Sequence, residues 1–160
     1  MSTRTALVAI VVVLCSLIGC QTAKQRQLQS ENMFRNYTAT WNTHDIEKMA
    51  SFFADDCVYE NLARGETYRG KEQLKAWAKG AFQAIPDFKL DLTSLFGSED
   101  WLACEWVMTG KLTGDLPGLP ATGKAFSVRG SSIVQLKDGK IVRNADYWDL
   151  MTFARQVTSQ

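Results

Sequence analysis

Leu136-Lys-Asp-Gly-Lys-Ile-Val-Arg-Asn-Ala-Asp-Tyr-Trp148 decides how this chain folds. Asp138-Gly139 between two apolar runs is a tight hairpin signal, because both central positions of such a turn favour residues that tolerate positive φ. The run after it, 140–148, reads as a strand whose side chains alternate. Asn144, Asp146 and Trp148 share one face, and Arg143, Ala145 and Tyr147 share the other. Working backward, 126–136 and 101–112 are further strands, and 88–96 alternates roughly before the turn Gly97-Ser98-Glu99-Asp100. A Gly/Pro-rich loop at 114–123 joins two of them. The second half of the chain is therefore an antiparallel meander.

The first half has a different period. Phe34, Tyr37, Thr38 and Trp41 fall at i, i+3, i+4 and i+7, one face of a helix. Asn42-Thr43-His44 breaks it, and Asp45 is placed to cap a second helix carrying Ile46, Met49, Ala50 and Phe53. A strand at 57–61 follows, with Tyr59 and Asn61 on one face and Val58 and Glu60 on the other. Gly65 and Gly70 bracket a short extended piece containing Tyr68. Leu74, Trp77, Ala78, Ala81, Phe82 and Ile85 then mark a third helix, which Pro86 stops. Leu150, Phe153 and Ala154 belong to a short closing segment. The order predicts an α+β fold, with the helices gathered on one face of a curved sheet.

Ahead of this domain lies a segment of another kind. Arg4, the apolar run 6–14 and Leu17-Ile18-Gly19-Cys20 have the layout of a secretory signal. The run is too short for a bilayer span of about 20 residues. The last four residues resemble a bacterial lipobox, which implies cleavage before Cys20 and a diacylglycerol on its thiol. Residues 1–19 are then a signal peptide, 20–30 a polar, lipidated tether with Gln at 21, 25, 27 and 29, and 31–157 the domain. The expected location is the bacterial cell envelope, facing periplasm or exterior.

Bulk composition excludes several functions. The chain has 18 basic and 17 acidic residues, and without Arg4 the two are equal, which argues against nucleic acid as a partner. With Cys15 removed and Cys20 lipidated, Cys57 and Cys104 remain; an oxidising compartment permits a bridge, but their apolar neighbours favour two core thiols. No Cys/His pair has metal-ligand spacing, and nothing calls for a cofactor. Gly118-Leu-Pro-Ala-Thr-Gly-Lys124 imitates part of a phosphate-binding loop, but Ala125 stands where a hydroxyl should hold magnesium. It reads as a structural loop at the rim of a cavity. No G-x-S-x-G elbow occurs, and His44, the single histidine, sits in a turn.

Five Trp, eight Phe and four Tyr either fill a core or line a cavity. Asp146, between aromatic neighbours on a strand with apolar partners, is the candidate for chemistry. Desolvation raises a carboxyl pKa toward values suited to proton transfer. The competing reading is a rim carboxylate paired with Arg129 or Arg143, or a cap on the closing segment.

Several strings point to one family: Trp41-Asn-Thr-His-Asp45, Tyr68-Arg-Gly70, Pro86-Asp-Phe88, Gly118 to Lys124, Asp138-Gly-Lys-Ile141 and Asp146-Tyr-Trp-Asp149. In that order and spacing the chain resembles the SnoaL-like polyketide cyclase (ester cyclase) branch of the nuclear transport factor 2-like superfamily. The resemblance implies a cone: a curved antiparallel sheet wrapped around the N-terminal helices, with a pocket at the wide end. It also implies that Asp146 is the acid/base. Where the cyclases carry a His six residues before the turn's Asp, this chain has Ser132, which leaves a one-carboxylate proton shuttle. The expected cavity wall is Tyr59, Asn61, Trp106, Ser132, Asp146 and Trp148, with Trp41 closing the narrow end; plain core packing is the alternative for each ring. Arg129 alternates to the face opposite Ser132 and is expected to point outward.

Two functions fit. In one, a small apolar carbonyl compound enters the cone and Asp146 moves a proton, while Tyr59, Asn61 or Ser132 donates to the developing oxyanion. In the other, the cone is a non-catalytic envelope module that holds an apolar molecule or docks a protein. Family analogy further implies a homodimer through the outer sheet face, where Trp101, Glu105 and Tyr147 would lie.

Overall fold

The computed structural model describes residues 3–158, and their side chains from residue 22 onward. The elements run α1 (Thr3–Trp41), α2 (Ile46–Ala50), β1 (Phe53–Asn61), a 3₁₀ turn (Leu62–Arg64), β2 (Glu66–Arg69), α3 (Gly70–Ala84), β3 (Lys89–Gly97), β4 (Trp101–Lys111), β5 (Ala125–Lys137), β6 (Lys140–Trp148) and α4 (Leu150–Thr158). One six-stranded sheet has the order β2-β1-β6-β5-β4-β3. The β3-β4-β5-β6 meander is antiparallel, as the turn signals require. Asp138 and Gly139 have φ of 51° and 71°, the positive values that this tight turn demands.

Curvature comes from register shifts. One lies between Phe53 and Val58 on β1, one between Leu92 and Ser94 on β3, and one between Gln135 and Leu136 on β5. An extra residue on one strand bends it and increases its twist. The concave face is then apolar: Trp106, Val134, Leu136 and Ile141 pack with Phe34, Tyr37 and Trp41 of α1 and Leu74 and Ala78 of α3. Phe126 and Val128 of β5 meet Phe153 and Val157 of α4 in a second cluster. Each fully buried side chain of this size contributes about 1.5–3 kcal/mol of burial.

Four expectations need correction. The segment 21–30 is helical rather than a loose tether. Gln, Lys, Arg and Leu are good helix formers, so polarity did not imply disorder, and the segment is docked: Ser30 Oγ donates to Glu99 O at 2.8 Å, and Arg26 pairs with Glu99 at 3.1 Å. Phe53 opens β1 rather than closing α2, which ends at Ala50. The Ile46/Met49/Ala50/Phe53 spacing survives only as burial, since Phe53 points into the core from a strand. The sheet is not wholly antiparallel, because β1 runs parallel to β6. A parallel pair needs a long crossover, and here everything from β2 to β5 supplies it. Finally, Asp146 is not a rim carboxylate paired with Arg129 or Arg143. Arg129 points outward beside Glu105 at 3.8 Å, and Arg143 pairs with Glu60 at 2.6 Å.

The interhelical break is pinned at both ends. Asn42 bonds Leu90 through both its amide atoms, at 2.7 and 2.9 Å, and His44 Nε2 lies 3.0 Å from Phe88 O. Asp45 caps α2 by accepting from Lys48 N at 2.9 Å. Cys57 and Cys104 are buried free thiols. The expected lipid site, Cys20, lies outside the residues whose side chains are described. Among the described residues no helix is long and apolar enough to cross a membrane.

Candidate functional site

Between the concave sheet face and helices α1 and α3 the molecule is hollow. The cavity measures about 370 Å³ and its wall is rich in aromatic rings. Its mouth is marked by lining residues that are also exposed: Ala76 and Gly80 of α3, and Asp115 and Pro117 of the loop at 112–124. The segment that imitates a phosphate loop thus begins at the rim of an apolar cavity and leads into β5, with no helix start aimed at a phosphate.

Alternation along β6 turns Asn144, Asp146 and Trp148 inward, and the ladders place Asp146 between Asn61 on β1 and Ser132 on β5. The carboxylate collects three donors. Tyr59 Oη donates to Oδ2, while Ser132 Oγ and Asn144 Nδ2 each donate to Oδ1 at 2.6 Å. Ser132 Oγ in turn accepts from Trp106 Nε1 at 2.8 Å, which leaves its proton for Asp146. What surface Asp146 retains opens into the cavity it lines.

Burial and these donors pull in opposite directions. Desolvation is the larger effect and holds the Asp146 carboxyl above its ordinary value, while the bonds from Ser132, Tyr59 and Asn144 favour the ionised form. Burial and the nearby Asp146 charge push the Tyr37 and Tyr59 phenols well up, so both stay protonated donors. Asn144 is oriented as a third donor. Its Nδ2 faces the carboxylate although this leaves its buried Oδ1 without a partner. That orientation suits an acceptor-only, ionised Asp146.

Asn61 is arranged differently. Trp148 Nε1 donates to its Oδ1 at 2.8 Å. An indole N–H is only a donor, so the amide orientation is settled and Nδ2 faces away from the indole. No described residue accepts from that Nδ2, and the residue lines the cavity while 5% exposed. Of the three expected oxyanion donors, Tyr59 and Ser132 have their protons committed to Asp146. The Asn61 amide nitrogen keeps its N–H groups to give.

The structure brings Trp41, Tyr59, Asn61, Trp106, Ser132, Asp146 and Trp148 into one cavity wall. Trp41 stands there edge-on to Trp77 and Phe82, at ring separations of 5.7 Å. Sequence reading assigned Trp77 to the helix core; its ring lies 4.7 Å from Tyr59 and 5.4 Å from Tyr68, also in the wall. The alternation of β6 and the apolar face of α1 bring Asn144 and Tyr37 into the same wall.

Nothing in the sequence marked the strap across the mouth. Arg64 Nε bonds Glu66 Oε1 at 2.9 Å, Arg64 Nη2 donates to Pro117 O at 3.0 Å, and Tyr68 Oη donates to Glu66 Oε2 at 2.8 Å. These contacts tie the 3₁₀ turn and β2 to the 112–124 loop. Among the described residues no group of three or more His, Cys, Asp or Glu is placed to hold a metal ion.

A family profile described as SnoaL-like polyketide cyclase matches residues 31–157. Similar proteins include the cyclase aurE of Calcarisporium arbuscula, 34% identical over 104 residues that cover 64% of this chain and 74% of that protein. The aklanonic acid methyl ester cyclase DauD of Streptomyces sp. (strain C5) is 26% identical over 130 residues, 79% of this chain and 80% of that one. Among solved structures, TsrD from Streptomyces laurentii superposes with a TM-score of 0.73 at 23% identity, covering 83% of this chain and 97% of its own. A protein of ketosteroid isomerase-like fold from Catenulispora acidiphila gives 0.71 at 21% identity, covering 80% and 93%.

Proposed function

The chain belongs to the SnoaL-like polyketide cyclase family, and from that premise we propose that it moves a proton on a small apolar carbonyl compound held in the cavity. At the coarser level it is a small-molecule-binding protein of the cyclase/isomerase type. The observation that carries the finer reading is a carboxylate inside an apolar cavity beside an unused amide donor. Asp146 takes the proton from the carbon next to the carbonyl. Charge then develops on the carbonyl oxygen, where Asn61 Nδ2 donates. Asp146, now protonated, returns the proton elsewhere on the molecule, giving isomerisation, or the carbanion first attacks a second carbonyl and closes a ring.

Each part has a physical reason. Desolvation brings the Asp146 carboxyl up toward the working range of a general base, a role that contributes about 10²–10⁴ in rate. A pre-aimed donor in a water-poor site adds to it, because it needs no reorganisation as charge develops. Ser132 offers no second base; it orients Asp146.

We extend the same reading to the chain's setting. Cys20 carries a diacylglycerol that tethers the domain to the bacterial envelope, and Trp101 and Tyr147, 45% and 46% exposed on the outer sheet face, supply a homodimer contact. The mass of the mature N-terminal peptide tests the first point and sedimentation of the detergent-solubilised protein the second.

Proton exchange tests the chemistry. The full chain is incubated in D₂O with a panel of cyclic and aryl ketones, and deuterium at the α-carbon is followed by NMR. Enzyme-dependent exchange that drops about 10²–10⁴-fold in Asp146→Asn is expected. Exchange that is absent for every ketone, or indifferent to the substitution, defeats the proposal.

A further inference from the structure

An ionised Asp146 has hydrogen-bond donors around it but no cation. Among the described residues that line the cavity, Arg64 is the one basic side chain, set against the carboxylates of Glu66, Asp115 and Asp146. Arg64 is at the mouth and already spent on Glu66 and Pro117 O. Buried charges are ordinarily paired, because three neutral donors soften but do not cancel the cost of leaving water.

The walls carry the same sign. Aromatic faces are the negative side of the ring quadrupole and attract cations. Two indoles of the cavity wall have their N–H groups occupied, Trp106 by Ser132, which bonds Asp146, and Trp148 by Asn61, which pairs with Asp146 across the ladder. These bonds fix the rings and leave no indole N–H of this pair for an occupant. Tyr59, Trp77 and Tyr68 form a contiguous wall of rings, at 4.7 and 5.4 Å with tilts of 37° and 32°.

We propose that this cavity binds an organic cation, an alkylammonium or quaternary ammonium compound, with its positive centre beside Asp146 and its apolar substituents against the rings. Room exists at the carboxylate. Its two oxygens offer about four lone-pair sites, and three are occupied. The free one suits an ammonium N–H, and a quaternary centre needs none.

The assignment goes beyond proton transfer and does not rest on it. A cation beside Asp146 holds the carboxylate ionised and blocks it as a base, so a bound cation also suppresses ketone exchange. Failure of cation binding leaves the exchange experiment untouched, and the converse holds.

The probes are choline and 3,3-dimethylbutan-1-ol, which have nearly the same shape and differ by one positive charge. Calorimetric titration of the full chain is expected to show choline binding roughly 5- to 30-fold tighter. The preference collapses in Asp146→Asn. Trp77→Leu, which removes no partner of Asp146, narrows it with the carboxylate in place. Equal affinities, tighter binding of the alcohol, no binding of choline, or a preference unchanged in both variants overturns the proposal. The two-probe comparison on the unaltered protein stands even if Asp146→Asn does not fold.

Discussion

Gly130 and Trp106 face each other across the β4–β5 ladder, and the indole covers the glycine so closely that a Cβ there would lie 2.2 Å from Cη2. The missing side chain is what lets the indole lie flat enough to reach Ser132 with its N–H. Trp106, Ser132 and Asp146 are thus set in line by an atom that is absent.

Gly130→Ala should therefore displace the indole. Overpacking of this kind costs about 1–3 kcal/mol, and the Trp106–Ser132 bond is strained or lost with it. Urea unfolding measures the cost, and a changed tryptophan emission maximum in the folded state reports the shift. An unchanged midpoint and spectrum would mean that the contact is not tight.

Asp146 should leave a signature in the pH dependence of stability. Its carboxyl is raised above its ordinary value of 3.8, chiefly by burial. Between the ordinary and the raised value the folded chain binds more protons than the unfolded one. Its contribution is therefore most favourable below the ordinary value and declines as pH rises through the raised one. The stability difference between the unaltered protein and Asp146→Asn should fall across that window and then level off. Tyr59→Phe removes a bond that favours the ionised form, so it moves the window upward. Its own cost should be about 1.5–3 kcal/mol above the window, as for a hydrogen bond to a charged group, and smaller below it. Urea titrations at a series of pH values check both, and flat differences would show that Asp146 is not desolvated.

Arg64→Gln should loosen the mouth while barely changing global stability. The Arg64–Glu66 pair is mostly buried, keeping 18% and 27% of its side-chain surface, but Glu66 retains its bond from Tyr68 and some access to water, so the loss should stay at about 1 kcal/mol. What the substitution removes is the bond to Pro117 O that holds the loop. Hydrogen exchange should accelerate at the Leu116 and Leu119 amides, which bond each other's carbonyls at 2.9 Å. Unaltered exchange there would show that the strap does not restrain the loop.

Much of this was legible in advance because it rests on local chemistry. A two-residue turn at Asp138-Gly139 and the alternation from Arg143 to Trp148 depend on neighbouring residues alone, and both are found as read; the register shift at Val142, which brings Ile141 into the core as well, was not legible. The same holds for α3 and its stop at Pro86. Phe53 was misplaced because its spacing from Ile46, Met49 and Ala50 suits a helix, while the choice was made by pairing with Ile141, far along the chain. The helical run before Phe34 was missed because a polar surface helix and a polar tether have similar compositions; docking on Glu99 distinguishes them.

The α+β class, the meander and the inward-facing residues of β6 follow from short-range sterics and side-chain period, which adjacent residues carry. The parallel placement of β1 against β6 arises only in the folded chain. That pairing sets Asn61 and Tyr59 beside Asp146, commits the Tyr59 proton to the carboxylate, and leaves the Asn61 amide free, whereas Ser132 arrives through the β5–β6 hairpin. Hydrogen-bond partners so far apart in sequence are chosen by where the strands come to rest, and no local pattern encodes that.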